Sequence, residues 1–127
     1  MDLGEKLVEE LTRLGYKVFC NSGGLDYDMV IKGSIELRIS TKDLILCSSF
    51  FKHIVAVRSG FTDLVSKTDA PLTVLHLGGK VDGALRVEYG ARLDDVRDLG
   101  RLEGIYPIEY CQEREEEIIK LIIEDIE

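Results

Sequence analysis

Arg58, Ser59 and Gly60 close the apolar run HIVAV, and Asp63 follows in the stretch RSGFTD. A guanidinium presents a planar fork of donors that suits phosphate oxygens, a hydroxyl adds one donor, and a glycine lets the backbone approach an anion closely. Where such a turn joins a strand to a helix, the free N–H groups of the helix start favour negative charge. The chemistry so encoded is the binding of an anion, a phosphate or diphosphate in particular. The same residues also make an ordinary turn: Ser-Gly is a common strand-to-helix cap, and Arg58 can simply pair with Asp63.

Few other side chains compete for a chemical role. His53 and His76 are the only imidazoles. His76 falls at the carboxyl end of an apolar run, where it can contact a ligand or act as a base; the plainer expectation is a solvent-exposed or turn-bonded histidine. Asn21 and Gly23 open the polar loop NSGGLDYD, which follows a strand end but lacks the spacing of a dinucleotide fingerprint. Asp26 and Asp28 in that loop read as solvated acids. Glu109, near the end of the last apolar run, is placed to receive ribose hydroxyls. Cys20, Cys47 and Cys111 are widely spaced, and neither histidine has a cysteine beside it, so no metal site is expected and the thiols read as reduced and buried.

The elements that must position these residues alternate. Asp2 caps a stripe of Leu3, Leu7, Val8, Leu11 and Leu14 that ends at Gly15, a helix leading straight into the β-rich YKVFCN. SIELRIS alternates Ile35, Leu37 and Ile39 against polar residues, which predicts a half-buried strand. Ser40 can cap the following TKDLILCSSFFK, expected as a largely buried helix. HIVAV reads as a central strand covered on both faces, residues 61–68 as a short helix and PLTVLHLG as another strand. Residues 79–104 form a long irregular connection with a short helix near Leu93–Leu99. IYPIEY returns as a strand that Pro107 places at an edge or a sheet terminus. EREEEIIKLIIEDIE gathers its isoleucines on one face of an amphipathic helix. The pattern predicts an α/β fold, a single Rossmann-like domain over residues 1–127, three-layered and mostly parallel with helices on both faces. In such sheets ligands bind outside the carboxyl ends of the strands, where Arg58 and His76 fall.

Bulk composition narrows the partners. A net charge of −8, with sixteen scattered bases among twenty-four acids, is the wrong balance for a nucleic-acid surface. No stretch is long and apolar enough for a membrane span, and the amino terminus lacks the order of a secretion signal, so a cytoplasmic chain is the expectation.

The segments GYKVFCNSGG, IKGSIELRISTKDLILCSSFFKHIVAVRSGFTDLVSKTDAPLTVLH and ARLDDVRDLGRLEGIYPIEY resemble the carboxyl-terminal, nucleotide-sugar-binding half of bacterial and archaeal glycosyltransferase-like proteins. Matching positions are Gly15, Tyr16, Val18 and Asn21; Gly33, Leu37 and Ser40; and Arg58, Ser59, Gly60 and Asp63. Leu93 and Leu99-Gly100 fit a later segment loosely, and His76-Leu77 stands where the pattern has Tyr-Pro. The resemblance implies a domain that holds the diphosphate of a nucleotide sugar at the R-S-G turn, with no resident cofactor. Transfer in that architecture needs a second, acceptor-binding domain, for which these 127 residues leave no room, so a fragment of a longer protein is one expectation. The expectation is therefore a domain incomplete on its own, one that regains a second surface by self-association, or a non-enzymatic scaffold that has lost its ligand.

Overall fold

The computed structural model describes residues 2–21 and 30–127. Two compact units divide the chain, Met1–Leu44 and Ile45–Glu127. In the first, α1 (Leu3–Arg13) begins where the Asp2 carboxylate accepts from the Glu5 amide at 2.8 Å. It ends in a glycine cap: Gly15 takes φ +97°, and the amides of Gly15 and Tyr16 return to the carbonyls of Thr12 and Leu11, both at 3.0 Å. These bonds satisfy carbonyls that a helix end leaves open. Strands β1 (Phe19–Asn21) and β2 (Ile35–Leu37) pair in parallel. The expected burial of Ile35 is not met, since that side chain is 47 % exposed.

The division between the units falls within α2 (Thr41–Leu46), which Ser40 caps through its hydroxyl, accepting from the Asp43 amide at 3.1 Å. The expected long buried helix is in fact two short pieces, α2 and a 3-10 turn at Ser48–Phe50. Leu46 is 72 % and Phe50 86 % exposed, so the apolar composition of this stretch misstates its environment.

The second unit holds β3 (Ile54–Val57), α3 (Gly60–Val65), β4 (Leu72–Leu77), β5 (Ile105–Tyr110) and α4 (Glu115–Ile126). Its strands run parallel in the order β3-β4-β5. The central strand is thus β4, not β3 as the apolar run suggested, and five of its six residues are buried. Alternation along β4 assigns the two faces. Leu72 and Val74 join Val65 of α3, Val96 and Ile105 in one core cluster, whereas Thr73, on the other face, bonds Asp125 of α4. Helices therefore cover both faces of this sheet, and the α/β class with parallel strands expected from the sequence is observed. On α4, Ile118, Ile119 and Ile122 are buried, and full burial of one such side chain contributes about 1.5–3 kcal/mol.

Pro107 sits on the edge strand, as its chemistry requires. Its carbonyl accepts from Val87, so its nitrogen faces that same outer side and no bond to β4 is lost. The Glu109 amide donates outward to Leu85 at 2.7 Å, so residues 85–87 flank the edge. The rest of the β4-to-β5 connection is pinned by guanidiniums. Arg101 donates to the carbonyls of Thr68, Ala70 and Glu103, and Arg97 holds the buried Asp95 carboxylate at 2.6 Å while reaching the Val87 carbonyl. The short helix expected near 93–99 is a single 3-10 turn, Val96–Asp98.

Candidate functional site

Strand register builds the site. Ile54, Leu72 and Ile105 lie abreast, then Ala56, Val74 and Pro107. One further step along the same face brings Arg58, His76 and Glu109 into a row: His76 pairs with Glu109, and the Arg58 amide extends the ladder by donating to the Leu75 carbonyl at 2.9 Å. Two apolar rows thus give way, at the carboxyl rim of the sheet, to one row of a cation, an imidazole and an acid.

Arg58 is well anchored. Its Nε donates to the Asp94 carbonyl at 2.9 Å and its Nη1 to the Ser59 carbonyl at 3.0 Å, and Nη1 also lies 2.6 Å from Asp63 Oδ1. The ordinary Arg58–Asp63 pair is therefore formed. Nη2 has no partner among the described residues. Ser59 caps α3 in extended backbone, its amide donating to Thr62 Oγ1 at 3.0 Å while that hydroxyl donates back to the Ser59 carbonyl. Helix α3 has only six residues, so its dipole adds little beside the full charge of Arg58. Gly60 has an ordinary φ, and a Cβ built there would meet nothing within 4 Å among the described residues. The fold does not need a glycine at this position, and the space before it is open.

His76 is the least expected member. It is 1 % exposed, and neither ring nitrogen has a hydrogen-bond partner among the described residues. Both plain expectations, solvent exposure and a turn bond, are overturned: the ring is buried, and Asp94 of the β4-to-β5 connection lies near it. The nearest carboxylate oxygen, Asp94 Oδ2, is 3.6 Å from Nδ1. It is held away by Arg92, which donates to Asp94 at 2.7 and 3.2 Å and to Glu109 at 2.7 Å. Burial, with help from Arg92, keeps His76 below the ordinary imidazole value against the opposing pull of Asp94 and Glu109. The Arg92 bond holds Asp94 at about 2, and the bonds to Asp94 and Glu109 raise Arg92 further. Burial opposes ionisation of Asp95, yet its bonds to Arg97 outweigh this and hold it low.

Of the residues singled out from the sequence, Arg58, Ser59, Gly60, Asp63, His76 and Glu109 share this rim. Asn21 belongs to the amino-terminal unit, where its Oδ1 accepts from the Ile39 amide at 3.2 Å. Gly23, Asp26 and Asp28 lie outside the described residues. Sequence reasoning missed Arg92 and Asp94. The available signal was topological: β4 ends at this rim, so the connection leaving it begins there, and its ARLDD cluster carries the charges. Among the described residues no group of three or more His, Cys, Asp or Glu side chains could hold a metal ion. Cys111 is buried, while Cys20 and Cys47 are only half-buried. Comparison of the chain with protein-family models, with curated proteins and with solved structures returns no match.

Proposed function

We propose that the carboxyl rim of β3-β4-β5 binds the phosphate-bearing part of a nucleoside diphosphate or nucleotide sugar, in a glycosyltransferase-like domain that needs a further acceptor-holding surface for transfer. The observation that carries this reading is the turn itself: Arg58 with a spare Nη2, beside a glycine that the fold does not demand and that faces open space. A bound phosphate takes donors from Arg58 and competes with Asp63 for Nη1, while Glu109 accepts from a sugar hydroxyl once Arg92 yields. The resemblance of RSGFTD and its flanking segments to the sugar-nucleotide half of such proteins points to the same turn. Titration with UDP, GDP and their sugar conjugates, followed by backbone amide shifts, tests the proposal. Shifts concentrated at residues 58–64 are expected, and none with any of these ligands overturns it.

A second reading, a scaffold or interaction domain without ligand, is favoured by one observation. Arg58 already has an internal counter-ion in Asp63, so the rim is stable as it stands. That reading expects self- or partner association in light scattering and no nucleotide affinity.

A further inference from the structure

An imidazole with two unused nitrogens, sealed beneath charged groups, is a costly arrangement. A buried donor or acceptor left without a partner loses its hydration and gains nothing in return. His76 bears that cost at the rim where the ligand is proposed to sit. The groups acting on it are Arg58 at the end of β3, Arg92, Asp94 and the Arg97-paired Asp95 on the connection, and Glu109 on β5, while Thr62 and Asp63 of α3 contact Arg58 in turn. Setting aside the neutral Asp95–Arg97 pair, the rim holds two guanidiniums, Arg58 and Arg92, and three carboxylates, Asp63, Asp94 and Glu109, a local sum of −1 while the imidazole is neutral. An anion entering such a rim meets net repulsion unless a positive charge arrives with it.

We propose that this rim binds its anionic ligand together with a proton, which is taken up by the imidazole of His76. The inference rests on the function proposed above and adds how the site is regulated: acidification tightens it. With the proton on, both ring nitrogens are donors. Nδ1 then faces Asp94 Oδ2 across 3.6 Å, a gap that a small shift of Asp94 closes, and the local sum rises by one charge. Burial and Arg92 keep the free imidazole below 6.5, and the ligand's charge raises its proton affinity. The gain in binding is therefore fully present below the free-state value and is lost as pH rises through the bound-state value.

Nucleotide sugars are the suitable probes, because their bridged phosphates keep a fixed charge near neutral pH. Calorimetric titration with UDP- and GDP-sugars in buffers of different ionisation enthalpy is expected to show uptake approaching one proton. Between the two values, Kd is expected to rise by as much as about tenfold per pH unit. With only two histidines in the chain, ring NMR assigns the site: the His76 resonances move to the imidazolium form on binding and those of His53 do not. Binding without proton uptake, or uptake at His53, overturns this inference and leaves the proposed function standing. No binding by any probe overturns both. His76→Gln is expected to bind with no pH slope in this window, and if that variant fails to fold, the ring spectra of the unaltered protein decide.

Discussion

The two histidines of this protein lie toward opposite ends of one sheet and meet opposite fates. At the amino end, His53 Nε2 lies 2.7 Å from Thr73 Oγ1, the Thr73 hydroxyl donates to Asp125, and Asp125 is paired with Arg86 at 2.8 Å. The His53 ring also stacks on Tyr106 at 5.8 Å. Every link of that chain has a partner, and it ties α4 to the sheet. At the carboxyl end, His76 is more deeply buried, and its ring nitrogens have no hydrogen-bond partner among the described residues. Both rings are held below the ordinary imidazole range by burial, His53 at about 4. The difference lies in satisfaction. A completed polar chain serves the fold, whereas one left incomplete inside a protein calls for a use outside it.

The strongest test cuts the completed chain. Asp125→Ala removes a carboxylate that is only 3 % exposed and strips partners from Thr73 and Arg86. A loss of about 1–3 kcal/mol is expected in urea unfolding. Next comes a pair of substitutions with opposite signs. His76→Leu relieves two unsatisfied nitrogens and is expected to stabilise by about 1 kcal/mol, while His53→Leu sacrifices a made bond and is expected to cost about as much. The same sign for both would remove the distinction.

Acid acts more gradually. Because folding depresses the His53 value from 6.5 to about 4, the unfolded chain binds more protons between these limits. That stabilisation is present above 6.5 and lost as pH falls toward 4. Asp94, held near 2 from an ordinary 3.8, adds its own loss only at lower pH. His53→Gln is expected to flatten the upper part of the profile, read from urea midpoints across pH. The smallest effect on stability belongs to Gly60→Ala, within about 0.5 kcal/mol because the added methyl meets open space. The same methyl is expected to weaken nucleotide binding roughly tenfold. Unchanged affinity would place the ligand elsewhere.

Much of the fold was legible wherever local chemistry decides it. The Asp2 cap, the Gly15 stop, the Ser40 cap, the isoleucine face of α4 and the edge position of Pro107 are all set by neighbours in sequence, and all are observed. Errors arose where tertiary neighbours decide. HIVAV and LTVLHL are equally apolar, and nothing within either says which has strands on both sides. TKDLILCSSFF has the composition of a core helix, yet Leu46 and Phe50 are exposed and only Ser48 is buried. At the rim, the sequence marked Arg58, His76 and Glu109 one by one, but their common row follows from the register of three strands. The charges beside His76 come from a connection whose own helical signal was weak, and Arg92 and Asp94 went unmarked for that reason.

Residues 85–87 carry a consequence for how the protein behaves in company. A bare outermost strand is a template on which foreign chains polymerise, and natural sheets blunt it with proline or a covering loop. On β5 both devices coincide: position 107 has no hydrogen to offer, and its oxygen and the amide of residue 109 are already engaged. This flank of the sheet therefore offers an incoming strand fewer free groups to pair with.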